Sequence, residues 1–513
     1  MLIRYIGGID LSWGKYDSPE HLLYEGPNEN NIYEFPLMDY RNQQIKYYYN
    51  TENYTQTEIS REHDNRFPWH DIQMKIIGPS VKDLVNHFFE RWNHAINCEE
   101  KLSNKTLGVH QVKQFIDKVN RKSIRKTINN FFFDDKIIEN DYFVEDDANI
   151  NKKIEKEIYS RYKKKGNFNS DALVLRSVST WSIGVNETEQ SILNAYYDLI
   201  QNAKHYIYIE NQYFISKSWT DEEKKEAKVK SKDVVKNQVT YYVRKRIEKA
   251  YENNENFKVF IIIPLSPSIG INFEDELSLM KAEPFIKYSY ETINRNNGLS
   301  LIEQLEKKMG DKWKNYIFFY SLRTHGLVNN VPTTEKIHVH SKLLIVDDTK
   351  VIIGSPNLND RSLLGDRDSE IAILIEEKKE DNFIMNGNKY QASKTAVELR
   401  KKLMAEYLGI NMNDPILDDP VNNDLLNYMN SKARNNTEIY RRLFKCIPDD
   451  LYTSYKIIKE AKKQKDEYEW DDVLLNKYMR EKDKIEGFIV EYSFDFLKNE
   501  KFNKHIVPDH LYT

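Results

Sequence analysis

Cysteine is scarce in this sequence, and long apolar runs are missing. Its 513 residues include 2 cysteines, Cys98 and Cys446, and neither lies in a CxxC or Cys/His cluster. So few cysteines exclude a disulfide framework and are typical of a reducing compartment such as the cytosol. Purely apolar runs such as 343–346 fall far short of the roughly 20 residues that a membrane-spanning helix needs. We therefore expect any membrane contact to be peripheral.

Charge of one sign is also lacking. Lys and Arg total 76 and Asp and Glu total 80, so the chain has no overall basic field, and we expect no nucleic-acid partner. One local exception is the segment 101–126, which holds eight Lys or Arg and one acid, with apolar residues at helical spacing. This segment is a candidate basic amphipathic helix for an anionic lipid surface, or else the solvated face of a variable insertion.

The length of the chain exceeds a single ordinary core, which favours two domain-sized units. Segments with helical spacing, such as 189–203, alternate with strand-like segments, such as 205–209, and this alternation predicts α/β layers. A weak internal repeat aligns the sequence GGIDL at 7–11 with GSPNL at 354–358. The repeat predicts a duplicated α/β unit.

The most informative segment is IHVHSKLLIVD at 337–347. His340 and Lys342 are two residues apart, so on an extended strand their side chains would face the same side. The apolar run 343–346 would continue as a buried strand. This spacing predicts that an imidazole and an ammonium group share one site.

The next strand ends in GSPN, which would bring Ser355 and Asn357 beside His340 and Lys342. Such a group suits a phosphodiester, because Lys342 and Asn357 can hold its non-bridging oxygens. His340 can then move a proton or attack phosphorus, and no metal ion is needed. Taken singly, His340 could instead be a core histidine and Lys342 a surface lysine.

This pattern, completed by Asp347, resembles the HxKxxxxD…GSxN signature of the phospholipase D superfamily. The stretch NDRSLLGDRDSE at 359–370 is similar to the eukaryotic enzymes in particular. The resemblance spans essentially the entire chain, with insertions near 101–166 and 216–236. Further blocks that agree are 7–17, PWHD at 68–71, IENQYF at 209–214, 321–326, 433–450 and 506–513.

The resemblance implies an α/β fold of two pseudo-symmetric phospholipase D-like domains, each a mixed β-sheet flanked by helices. The first domain would be incomplete, and a mainly helical C-terminal extension would follow the second. We place the remainder of the first domain at 1–185, with a Lys-rich insertion. The second domain, with the HxKxxxxD motif, is placed at 186–380, and the extension that packs on both at 381–513.

In this family each domain contributes one motif to a shared site, where one histidine forms a phosphohistidine and the other protonates the leaving alcohol. The resemblance therefore implies a phosphoric diester hydrolase, a phospholipase D that converts phosphatidylcholine to phosphatidate and choline. His340 is implied as the general acid, and Lys342, Ser355 and Asn357 as phosphate ligands. Asp347 belongs to the catalytic motif, in a supporting role.

Acidic residues that follow each glycine pair are implied to orient the imidazoles from behind. Asp17 is the candidate in the first copy, and Asp366, Asp368 or Glu370 in the second. No cofactor and no metal ion are expected. The expected partner is a phospholipid membrane surface, with an anionic phosphoinositide as a candidate lipid, at a cytoplasmic, peripheral location; the oligomeric state is left open.

The first HxKxxxxD motif of the family is missing. Of the twelve histidines, only His340 is followed by lysine at the second position. Six residues separate Asp347 from Gly354, and six precede Gly7, so a counterpart of Asp347 would stand before Met1. The explanations are a sequence cut short upstream, a natural product without activity, or a chain that borrows a motif from a partner chain. We expect the first of these.

Two further functions stay open. One is a catalytically inactive homologue or fragment that binds lipid or a protein partner. The other is a nuclease or another phosphodiesterase of the superfamily. The eukaryotic blocks and the absence of a strong basic bias weigh against a nuclease.

Overall fold

The fold is taken from a computed structural model, and every structural statement below refers to the residues that it describes. The predicted basic segment lies outside them beyond Ser103, and so does the terminal block 506–513. The described residues are 3–10, 12–26, 32–35, 40, 59–61, 64–103, 170–230, 234–266, 276–465 and 471–502.

Strands and helices alternate through the middle of the described chain, as the sequence predicts. The strands are β1 (Ile3–Gly7), β2 (Trp69–His70), β3 (Gln73–Ile77), β4 (Ser170–Val178), β5 (Glu189–Gln190), β6 (Tyr206–Asn211), β7 (Lys258–Ile262), β8 (Ile317–Val328), β9 (Val331–Lys336), β10 (His338–Val339), β11 (Lys342–Val346), β12 (Lys350–Gly354), β13 (Glu370–Glu377), β14 (Glu380–Met385), β15 (Asn388–Ala392) and β16 (Ile489–Glu491). The α-helices are α1 (Val81–Ser103), α2 (Thr180–Ile183), α3 (Ser191–Asn202), α4 (Asp221–Glu226), α5 (Val239–Glu252), α6 (Glu276–Ile293), α7 (Leu301–Met309), α8 (Asp360–Leu363), α9 (Lys394–Leu408), α10 (Asn423–Phe444), α11 (Tyr455–Lys465) and α12 (Asp472–Glu481).

One large mixed sheet forms the centre of the molecule. Its order is β16-β8-β7-β6-β11-β12-β13-β4-β5, and β9 pairs with β8. Strands β6, β7 and β8 run parallel, whereas β11, β12 and β13 follow antiparallel to one another. The mixed α/β fold expected from the sequence is confirmed.

The strand β11 lies inside this sheet and is buried on both faces. Leu344 and Val346 belong to one apolar core, whereas Leu343 and Ile345 belong to the core on the opposite face. Successive side chains of a strand point to opposite faces, so an uninterrupted apolar run fits a strand that is covered on both sides. The run after Lys342 therefore anchors the motif rigidly in the sheet.

A small separate strand pair, β1 with β3, repeats the pairing of β12 with β13. Both pairs are antiparallel, and each first strand ends in a glycine, Gly7 or Gly354. A Cβ atom at Gly7 would collide with the carbonyl oxygen of Ile72, and one at Gly354 with that of Ile371. The equivalent close approaches fit the duplication that the repeat predicts.

The large sheet draws strands from all three predicted units. Strand β4, in the unit placed at 1–185, pairs with β13 of the unit placed at 186–380. Strand β16, in the extension placed at 381–513, pairs with β8. The extension is mainly helical, and α9 is tied to the sheet by a buried ion pair of 2.9 Å between Arg400 and Asp348. The boundaries at 185 and 380 stay predictions.

The described helices include none that combines the length and the apolar character needed to cross a membrane.

Candidate active site

His340 lies in a two-residue break between β10 and β11, so the single extended strand predicted across His340 and Lys342 is interrupted. Its backbone N–H donates to the carbonyl of His70 on β2 at 2.7 Å. Its Nδ1 lies 2.7 Å from Oδ2 of Asp71. Donation of the Nδ1 proton to this carboxylate leaves the lone pair of the neutral ring on Nε2. Burial lowers the pKa of His340, and the hydrogen bond to Asp71 opposes this only in part.

Lys342 is the first residue of β11, and its side chain is buried. Its Nζ donates to the carbonyl of His340 at 2.5 Å and lies 3.5 Å from Oε1 of Gln212. Burial lowers the pKa of Lys342 to about 8, although the carboxylates of Asp71 and Glu370 oppose that shift. Both hydrogen-bond partners are neutral oxygens, so the ammonium group can still attract an anion.

Ser355 and Asn357 follow β12, at the same edge of the sheet. The Ser355 hydroxyl donates to Glu370, which also accepts from the Ser362 hydroxyl at 2.6 Å. Burial raises the pKa of Glu370 to about 7. Within the described part of the chain, the buried Oδ1 of Asn357 has no hydrogen-bond partner. The structure thus brings His340, Lys342 and the end of β12 together.

Asp71 was missed by the sequence analysis, although it belongs to the PWHD block. Asp71 precedes Ile72 beside Gly7, as Glu370 precedes Ile371 beside Gly354, so the two acids are counterparts. Residues 8–72 separate β1 from β3, whereas residues 355–369 separate β12 from β13. Because these connections differ so much in length, the short repeat could not align the two acids.

Two predicted orienting acids lie away from His340. Asp17 is buried and accepts hydrogen bonds from His21 at 2.8 Å and from Arg66 at 2.8 Å. Asp368 forms a partly exposed ion pair of 2.7 Å with Arg361. Among the described contacts, neither acid bonds to His340, whereas Glu370 reaches Ser355 at the site.

Asp347 lies at the opposite end of β11 from Lys342. Five residues at about 3.3 Å per residue place it roughly 16 Å away, too far to share a phosphate with Lys342. Its carboxylate accepts the backbone N–H groups of Lys204, His205 and Tyr206 at 2.7, 2.7 and 2.9 Å. This geometry supports a role in holding β6 against β11.

We expect Asp347→Ala to lower the free energy of unfolding by about 1–3 kcal/mol, because it leaves three backbone donors without their acceptor, of which that of Tyr206 is buried. Alanine would also be strained at the φ of 53° that residue 347 adopts. Asp347→Asn, which keeps one acceptor oxygen and tolerates this φ, should cost less. Denaturant unfolding measures both, with Asp366→Ala at an exposed site as the control. Equal stability of all three variants would contradict this role.

Binding of sulfate should weaken as the pH rises from 6 to 9. The Lys342 ammonium group is charged below its pKa of about 8, and Glu370 is neutral below its pKa of about 7. Raising the pH therefore removes a positive charge and adds a negative one, while sulfate stays a dianion. Calorimetric titration at constant ionic strength measures the affinity.

Lys342→Ala should weaken sulfate binding at least tenfold at pH 6.5, and Lys350→Ala should not. Unchanged affinity in the Lys342→Ala variant would move Lys342 out of the site.

The sequence matches the phospholipase D family over residues 1–450, and the chain belongs to this family. It is 33% identical over 498 residues to phospholipase D zeta 2 of Arabidopsis thaliana, covering 87% of this chain and 46% of the relative. Its identity to phospholipase D1 of Rattus norvegicus is 32% over 468 residues, covering 89% of this chain and 38% of the relative. The chain thus spans less than half the length of these relatives.

Among solved structures, NucT from Helicobacter pylori is similar at 13% identity and a TM-score of 0.22. The alignment covers 40% of this chain and 86% of that one.

Proposed function

We propose that this chain carries one half of a phospholipase D active site, and that the complete site hydrolyses phosphatidylcholine to phosphatidate and choline. The observation that carries the proposal is the hydrogen bond of 2.7 Å between His340 and Asp71. An acid next to β3 holds a histidine next to β11, as a site shared by two pseudo-symmetric units requires. The names of the relatives support the substrate class.

In the first step, an imidazole from a second HxK motif attacks phosphorus, and the bond from phosphorus to the choline oxygen breaks. His340 enters this step doubly protonated and gives the proton on Nε2 to that oxygen, so choline leaves as a neutral alcohol group. In the second step, His340 takes a proton from water as the water oxygen attacks phosphorus. Phosphatidate is released, and both imidazoles return to their starting forms. Asp71 supports both steps by holding the proton on Nδ1.

The phosphate ligands in this proposal are Lys342, Ser355 and Asn357. Lys342 supplies a charge-assisted contact to a non-bridging oxygen, and the two neutral side chains supply hydrogen bonds. Glu370, as the counterpart of Asp71, orients the second histidine. Asp347 contributes through the fold, by holding β11 in place.

The expected site of action is the cytoplasmic surface of a phospholipid membrane, with peripheral contact. The aromatic side chains of Trp13 and Tyr16 are 44% and 54% exposed, which suits contact with lipid head groups. Anionic phosphoinositide would add affinity through the basic segment 101–126. Vesicle sedimentation, with four lysines of that segment neutralised, tests this part: unchanged binding would assign the segment to a solvated surface.

The substrate class is tested by offering choline lipid vesicles and single-stranded DNA to a form of the chain that carries both motifs. We expect choline release and, with added butanol, phosphatidylbutanol, because the alcohol competes with water for the phosphatidyl group. Cleavage of DNA in place of lipid would favour the nuclease. Sulfate binding without turnover of either substrate would favour the inactive homologue.

A further inference from the structure

Two histidines and a glutamate form a cluster beside β2, the strand that directly precedes Asp71. His21 Nε2 lies 3.3 Å from Oε1 of Glu406, and His70 Nδ1 lies 3.2 Å from the same oxygen. All three ligand atoms lie within 4.8 Å of one another. Ligands bound tetrahedrally to zinc at about 2.0–2.1 Å are themselves roughly 3.3–3.4 Å apart. Two of the three separations therefore match those of ligands around one ion, and the third is at most 4.8 Å.

Each imidazole of this cluster is held from behind by a buried carboxylate. Nδ1 of His21 lies 2.8 Å from Oδ2 of Asp17, and Nε2 of His70 lies 3.1 Å from Oε2 of Glu210. Histidines that bind metal ions commonly donate their other N–H to a carboxylate in this way, which fixes the tautomer and orients the ring. The two outer carboxylates thus direct His21 Nε2 and His70 Nδ1 toward Glu406.

The cluster borders a cavity, and its surroundings favour a cation. His21, His70, Glu406 and Asp17 all line this cavity of about 1150 Å³, which gives an ion a route to the otherwise buried imidazoles. Three carboxylates surround the two rings, and Arg66 forms an ion pair of 2.8 Å with one of them, Asp17. When both imidazoles are neutral, as metal binding requires, these carboxylates and Arg66 leave a net negative charge, which a divalent ion would offset.

We propose that His21, His70 and Glu406 bind one zinc-type divalent cation, with water as the fourth ligand. His21 follows β1, His70 lies on β2 and Glu406 lies on α9, so the ion joins the segment between β1 and β3 to the C-terminal extension. It thereby fixes β2, which directly precedes Asp71. The site stands apart from the proposed reaction, because none of its three ligands takes part in phosphoryl transfer.

The test uses the full 513-residue chain, stripped with a chelator, incubated with Zn²⁺ and passed over a desalting column. Mass spectrometry of the metal should then give one zinc per chain, and the melting temperature should rise with zinc. His21→Ala should weaken binding at least tenfold. Asp17→Asn keeps all three ligands and should weaken binding about 10–100-fold, because it removes the group that orients His21. The matched control is His205→Ala, since His205 packs on Tyr390 outside the cluster. The zinc affinity of this variant should equal that of the unchanged chain.

Cobalt substitution identifies the ligands independently of folding in the variants. Co²⁺ in this site should give visible bands of a four-coordinate ion and lack the charge-transfer band of a thiolate, which separates the cluster from the His94 and Cys98 pair on α1. Less than a tenth of an equivalent of zinc in the unchanged chain would overturn the proposal. So would one equivalent retained with unchanged affinity by both His21→Ala and Glu406→Gln. Either result would leave the cluster as a hydrogen-bonded network of charged imidazoles and carboxylates.

Discussion

The purified 513-residue chain is expected to release no measurable choline from phosphatidylcholine vesicles, whereas a form with a second HxKxxxxD strand is expected to turn over. Proton transfer by His340 needs a nucleophile on the other side of phosphorus, and His340 is the one histidine in an HxK sequence. Loss of one member of a catalytic unit can cost many orders of magnitude, and the losses do not add. We therefore expect the added strand to raise the rate of choline release at least about 10³-fold above background.

The duplicated strand pairs show where the added strand should fit. Strand β12 is paired with β11 on one side and β13 on the other, whereas among the described strands β1 pairs with β3 alone. A segment ending in HxKxxxxD placed directly before Met1 reproduces the spacing of six residues between Asp347 and Gly354. Choline release by mass spectrometry measures the result, and sulfate binding shows that the extended chain is folded.

Two controls accompany this experiment. Replacing the added histidine with alanine should abolish the gain, and so should His340→Ala in the extended form, because the two rings act as one unit. Choline release by the 513-residue chain itself, abolished by His340→Ala, would contradict the requirement. Size-exclusion chromatography would then decide whether two copies share one site.

The central sheet could be predicted from sequence because its strands carry their own signal. The run from Leu343 to Val346 is apolar without interruption, as a strand buried on both faces must be. The helix predicted at 189–203 is found as Ser191–Asn202, and the strand predicted at 205–209 as Tyr206–Asn211. In each case the evidence lies within a few neighbouring residues, where periodicity can be read.

The partners of the site residues could not be predicted in this way. Asp71 and His340 are 269 residues apart, and His21 and Glu406 are 385 residues apart, so no local pattern links them. The repeat identifies Gly7 as the counterpart of Gly354. It does not align Asp71 with Glu370, because the loops that precede these two acids differ in length. The spacing within the motif also does not predict the position of Asp347 in the fold. Five strand residues place Asp347 at the opposite end of β11 from Lys342.

Asp71→Asn should lower kcat of the form with both motifs by about 10²–10⁴-fold, the usual contribution of general acid–base catalysis. Oδ1 of Asp71 accepts the backbone N–H of Ile72 at 2.9 Å, so the oxygen of an asparagine would remain there. Its NH₂ group would then face Nδ1 of His340. That ring nitrogen would have to accept a hydrogen bond, so the neutral ring would carry its proton on Nε2, and the doubly protonated ring would be destabilised.

Nitrogen NMR of His340 measures this change of tautomer in the 513-residue chain, independently of turnover. The pKa of His340 should also fall further below its ordinary value, because burial lowers it and the wild-type carboxylate of Asp71 opposes that effect. Asp368→Asn makes the same chemical change in a partly exposed ion pair with Arg361. Such pairs contribute little to stability, so this control should keep its activity within about threefold. Equal losses in the two variants, or an unchanged His340 tautomer in Asp71→Asn, would show that Asp71 does not position the ring.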